Sequence, residues 1–154
     1  MRLLFALAVL VIAGVAHAET KSVPLGAATV QYDATVWRAE ERSGIAALSF
    51  TCVAADCPDF AAADVTATKS GATCEPLNES DETALALLPG TPLPFTAKAR
   101  WSGCRAQDTP ILAACAEKDG VVYRVASGFG GACNFLPGLP EERFLDLLHG
   151  ISAD

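Results

Sequence analysis

Short β-rich runs, two stretches with helix signals and an even set of six cysteines predict an α+β domain. The expected architecture is an antiparallel β-sheet with a medial and a C-terminal helix on one face, stapled by disulfides. The chain has 154 residues, of which 51% are hydrophobic, enough apolar side chain for a buried core.

The first residues read as an export segment. Arg2 supplies the positive start, Leu3 to Ala16 the apolar stretch, and Ala16-His17-Ala18 a small-x-small cleavage site. Residues 1–18 are expected to be removed, leaving residues 19–154 as one globular domain without a membrane span. All six cysteines (Cys52, Cys57, Cys74, Cys104, Cys115 and Cys133) lie beyond that segment. With an export signal this predicts three disulfides and a periplasmic or secreted location.

Ala28 to Tyr32 and Thr35 to Arg38 are β-rich, and Ile45 to Cys52 reads as a longer strand after Gly44. A loop with Cys57-Pro58 separates it from Asp64 to Thr68, which should pair back. Asn78 is placed to cap a helix whose first turn carries Glu79, Asp81 and Glu82, with Leu85 and Leu88 on one stripe. Pro89-Gly90 would stop it, and Pro92 and Pro94 read as a stiff linker. Lys98 to Ala106, Ile111 to Ala116 and Val121 to Ala126 form an expected three-strand meander. Its turns are Gln107 to Pro110 and Asp119-Gly120, the latter a strong two-residue hairpin signal. Ser127 to Gly131 reads as a glycine-rich loop. Pro140 opens the last helix, with Phe144, Leu147, Leu148 and Ile151 facing the core and Gly150 near its end.

Three stretches carry a family likeness: Asp33-Ala34-Thr35-Val36-Trp37 at the end of the first strand pair, the strand Gly120 to Val125, and the closing helix through Phe144. In order of elements the chain resembles the PsbP-like fold of periplasmic and lumenal proteins. The resemblance implies a binding or assembly factor rather than an enzyme.

The residues exclude several chemistries. His17 falls in the export segment, which leaves His149, placed to favour the end of the last helix by its charge. One histidine is poor material for a zinc site or for a histidine-assisted nucleophile. There is no C-x-x-C for a thiol redox centre and none followed by histidine for haem, and Gly128-Phe129-Gly130-Gly131 lacks the residues of a phosphate loop. Asp56, Asp59, Asp64, Glu75, Glu79, Asp81 and Glu82 form an acidic stretch without calcium-loop spacing. No cofactor is expected. The net charge of −7 disfavours nucleic acid.

The expected hairpin pairs Lys118 with Val121 and therefore Cys115 with Arg124. If the preceding turn lies at Gln107 to Pro110, Cys104 is opposite Cys115, and these two form the leading disulfide. Cys52–Cys57 and Cys74–Cys133 follow, the last by elimination. Lys98, Arg100 and Arg124 then share a wet face with Ser102, Cys104 and Cys115. Trp101, Leu112, Ala114, Val121, Tyr123 and Val125 form the apolar face beneath the helices. On an acidic protein, Lys98, Arg100 and Arg124 make a candidate docking face for a partner, either another exported protein or a small ligand. The leading function is a non-catalytic exported binding or assembly-accessory protein. The alternatives are a secreted inhibitor of a hydrolase such as a protease or lysozyme, for which the Val53 to Asp56 loop must protrude, and a small enzyme with an unrecognised site. Intact-mass measurement of the exported protein should show a chain beginning at Glu19; retention of residues 1–18 contradicts this reading.

Overall fold

Alternation of apolar and polar residues, with a period of two, organises most of the molecule. The computed structural model describes residues 18–69, 73–74, 82–85, 90–100, 111–127 and 139–154. The expected export segment, except Ala18, lies outside these residues. Ten strands and one helix fall within them. A three-stranded sheet has the order β1-β2-β10, with β1 Thr20–Leu25, β2 Ala28–Asp33 and β10 Ile151–Ala153. A seven-stranded sheet has the order β3-β4-β5-β9-β8-β7-β6. Its strands are β3 Trp37–Glu41, β4 Ala47–Cys52, β5 Ala62–Lys69, β6 Glu82–Leu85, β7 Thr96–Arg100, β8 Ile111–Lys118 and β9 Val121–Ser127. Every pairing is antiparallel.

One row of inward positions runs across the large sheet through Leu48, Val65, Val125, Ala114 and Ala97, which are paired in that order and all buried. The row beside it includes Phe50 and Ala63. Over this face lie Leu25 and Val30 of the small sheet and the helix α1, Glu141–His149, which buries Phe144, Leu147 and Leu148. Side chains of this size contribute about 1.5–3 kcal/mol each when fully buried. Of the expected apolar face, Leu112, Ala114, Val121, Tyr123 and Val125 are all buried; Trp101 lies outside the described residues.

The Asp119-Gly120 hairpin forms as expected. Both residues have positive φ, 51° and 72°, which suits a turn whose twist matches its strands. Lys118 pairs with Val121 and Cys115 with Arg124. The preceding register differs from expectation. β7 begins at Thr96, Arg100 pairs with Ile111, and Cys115 faces Thr96. Cys104 is therefore not opposite Cys115, and the bond of Cys115 is to Cys74. That also overturns the expected Cys74–Cys133 link; Cys104 and Cys133 lie outside the described residues. The third expectation, Cys52–Cys57, is present.

The medial helix is corrected where it overlaps the described residues. Residues 82–85 form β6, paired with β7 from Glu82↔Arg100 to Leu85↔Ala97. A short run such as Glu-Thr-Ala-Leu fits either period, and here it pairs along the edge of β7. Asn78 and Leu88 lie outside the described residues. The expected proline linker belongs to the core: Leu93 and Phe95 are fully buried, while Pro92 and Pro94 alternate outward. Thr35 and Ile45, expected in strands, lie in turns, and Ser127 ends β9 with its buried Oγ accepting the Leu112 N–H at 2.8 Å. β1 carries Pro24 and sits at a sheet edge, where a missing N–H is tolerated.

Ile151 is buried as expected, but in β10 rather than in the helix. Its antiparallel partner is Val30, and Gln31 N–H donates to the Gly150 carbonyl at 2.8 Å. A Cβ at Gly150 would sit 2.0 Å from the Gln31 carbonyl oxygen. Gly150→Ala should therefore cost roughly 3 kcal/mol, the upper range of overpacking, read as a lower urea midpoint. A change below the error of the melt contradicts that close approach.

Candidate functional site

Two regions draw the chemically informative side chains together: the outer face of the β7-β8-β9 meander, and the end of β4 beside β3. Alternation along β7 sets Lys98 and Arg100 at positions on the same face as Arg124. That face is crossed by Thr73 and Cys74. Arg124 Nη2 donates to the Thr73 carbonyl at 2.8 Å, and Glu117 Oε1 accepts the Cys74 N–H at 2.6 Å. The Cys74–Cys115 disulfide, with Cα atoms 5.7 Å apart, completes the clasp. Arg124 is half-buried there and is engaged in holding the crossing segment rather than standing alone in water.

At the other region, the chain leaves β4 at Cys52, loops through Phe60 and enters β5 at Ala62. Cys52 and Cys57 are bonded, with Cα atoms 6.0 Å apart. Cys57 N–H donates to the Ala54 carbonyl at 3.0 Å and Ala61 N–H to the Pro58 carbonyl at 3.1 Å. Cys52 N–H closes the loop base onto the Ala61 carbonyl at 2.8 Å. The tip is tied to α1: Arg143 reaches Asp56 Oδ2 through Nε at 3.0 Å and Nη2 at 2.9 Å, and Nη1 bridges to Asp146 at 3.3 Å. The Asp56 hydrogen bond, ahead of the charge of Asp56 and Asp146, raises the Arg143 pKa still further.

This restrained loop holds an anomaly. Phe60 has φ of 66° and is 77% exposed. A bulky side chain in the left-handed region costs about 1–3 kcal/mol, and such residues concentrate at functional loops. Val53 is 48% exposed beside it. Both line a cleft of about 280 Å³ with Arg38, Thr51, Ala54 and Pro58. Within the expected protruding loop, Val53, Ala55 and Asp56 are exposed, while Ala54 packs against the core.

Two more clefts continue from this one. The second, of about 370 Å³, shares Arg38 and Val53 and adds Lys21, Tyr32 and Trp37. The third, about 280 Å³, shares Tyr32 and Trp37 and extends past Asp33 to Arg143 and Asp146. Together they make one furrow along β3, floored by Tyr32 and Trp37. Edge-to-face contacts with Phe50 hold both rings, at centroid distances of 5.3 and 6.1 Å. Asp33 staples the corner from β2 to β3: Oδ1 accepts the Thr35 hydroxyl at 2.7 Å, the Thr35 N–H at 2.8 Å and the Glu19 N–H at 3.2 Å. The Thr35 hydroxyl, foremost, holds the Asp33 carboxyl below the usual aspartate value. That favours a fixed anion that orders a turn.

His149 ends α1 and is exposed. Of the acidic stretch, Asp56 pairs with Arg143, and Asp64 receives Arg42 Nη2 on both oxygens at 2.9 Å. Among the described residues, no three His, Cys, Asp or Glu side chains converge as a metal site, and no helix is long and apolar enough to cross a membrane. Residue types foreshadowed the loop, through Cys52 and Cys57. They carried no sign of Phe60, since positive φ has a sequence signal only at glycine, asparagine or aspartate.

Comparison with protein-family models and with curated proteins finds no match.

Peptide mapping without reduction should return Cys52 linked to Cys57 and Cys74 linked to Cys115. A Cys104–Cys115 peptide contradicts the register of β7 on β8.

Proposed function

We propose that this chain is a non-catalytic binding protein of an oxidising, extracytoplasmic compartment, and that it docks another exported protein through the loop from Cys52 to Phe60. The observation that carries the reading is Phe60: an aromatic side chain held in water, in a backbone conformation that opposes it, on a loop restrained by a disulfide and an ion pair. Exposed aromatic anchors on rigid supports suit recognition, because little conformational freedom remains to be lost on binding. The two disulfides among the described residues fit an oxidising compartment. The rigidity of the loop and the exposure of Val53 and Ala55 favour one narrower version, in which the partner is a hydrolase and the loop an inhibitory plug.

Phe60→Gly separates binding from stability. Glycine adopts φ of 66° without strain, so the melt should be unchanged or raised by up to about 1 kcal/mol. Co-purification of the partner from the native envelope should fall by at least about tenfold, the ordinary loss for an aromatic anchor. A clear loss of stability would make Phe60 a structural residue, and undiminished co-purification would remove the loop from the interface.

A further inference from the structure

Among the described residues β3 is one of the two edges of the large sheet, and its charge pattern is complementary to itself. Val53 N–H donates to the Val36 carbonyl at 2.8 Å and Arg42 N–H to the Ala47 carbonyl at 3.0 Å. Bonded and non-bonded pairs alternate along an antiparallel ladder, so Arg38 and Glu40 also direct their backbone groups at β4. The N–H and C=O groups of Trp37, Ala39 and Glu41 therefore point the other way, out of the sheet. Among the described residues, no strand pairs with that side of β3. β3 has neither a proline nor a bulge, devices that often blunt an edge.

We infer that β3 is a dimerisation edge whose occupant is β3 of a second copy, antiparallel and centred on Ala39. In that register Trp37 lies opposite Glu41 of the second copy and Ala39 opposite its counterpart, so all outward backbone groups meet as bonded pairs. Arg38 then lies opposite Glu40 of the second copy, and Glu40 opposite Arg38, in the non-bonded positions where side chains are closest. Sliding by two residues in one direction sets Arg38 against Arg38. Sliding the other way sets Glu40 against Glu40. A slide by one matches outward groups with inward ones. Of these registers, the centred one alone satisfies both backbone and charge. Within one chain Arg38 and Glu40 are 3.7 Å apart and 64% and 70% exposed, a loose pair with capacity for a second partner. Two other cations lie nearby: Arg42 is engaged with Asp64, and Lys21, which lines a cleft with Arg38, pairs with Glu19.

The inference does not depend on Phe60, and its test reads assembly rather than partner binding. Sedimentation velocity of the purified protein, from low micromolar to submillimolar concentration, should show a monomer–dimer equilibrium, weak as befits a small interface. Arg38→Glu and Glu40→Arg should each weaken the dimer by about tenfold or more, since each places two like-charge pairs at the interface. Both variants should melt as the wild type does when dilute. The double variant R38E/E40R should regain dimerisation. A protein that stays monomeric throughout overturns the inference, as does a dimer indifferent to either reversal or a double variant that does not recover.

Discussion

Gln31 and Gly150 meet backbone to backbone, and much of the geometry follows from that meeting. The Gln31 N–H donates to the Gly150 carbonyl, and the space where a Cβ would stand is filled by the Gln31 carbonyl oxygen. Helix α1 must therefore end where it does, and the chain must turn at once into β10 alongside β2. This fixes the helix against the small sheet with Phe144, Leu147 and Leu148 inward. It also sets Arg143 on the flank where Asp56 can reach it. A one-residue lengthening of the helix would turn Arg143 by about 100° around the axis, away from the loop. The furrow along β3 inherits one wall from the same arrangement, through Arg143, Asp146 and Leu147.

The Cys52–Phe60 loop shows how local strain is maintained. Its disulfide spans only five residues, so the constraint on the unfolded chain is modest. Its larger consequence is local: Cys52 is the last residue of β4 and is buried, so the bond roots the loop in the sheet. Asp56 anchors the opposite side to the helix. Between these two ties the backbone has few alternatives, and Phe60 is retained outside the preferred region. The second disulfide acts across a longer range, drawing Thr73 and Cys74 over β8 and β9 where Arg124 and Glu117 receive them.

What could be read from sequence was what local chemistry decides. Asp119-Gly120 specifies its hairpin because both residues tolerate positive φ, and the strand pairing then follows by counting. Phe144, Leu147 and Leu148 declare a helix face by spacing. Features set by distant partners were hidden. Residues 82–85 become a strand only because β7 is beside them. Leu93 and Phe95 were masked by the prolines that alternate with them, since proline reads as a break even where it merely faces outward. The Cys74–Cys115 bond joins residues 41 apart and depends on how the ten residues between β7 and β8 are spent, which no turn motif announces. Of the candidate site, the cysteine loop was legible, while the exposure of Phe60 and the furrow beside β3 depend on the packing of two sheets and a helix.

The charges of β3 serve two ends that usually conflict. An edge strand with unpaired backbone invites indiscriminate pairing, and charged side chains are the ordinary defence. Arg38, Glu40 and Glu41 supply that defence against apolar or like-charged strands. The alternation of sign across Ala39 nevertheless leaves one arrangement in which the defence becomes attraction. Specificity of this kind comes from the mismatched registers being repulsive more than from the matched one being strong. A two-fold axis normal to the sheet, midway between the two Ala39 residues, turns both outer faces the same way. The clefts lined by Arg38 and Thr51, each beside a Phe60, then open on one side of the pair. Two weak loop contacts on one assembly reinforce each other by raising the effective concentration of the second, provided the partner spans both. A shallow, restrained loop on a small monomer would thus gain avidity from an edge pairing that costs no new structure.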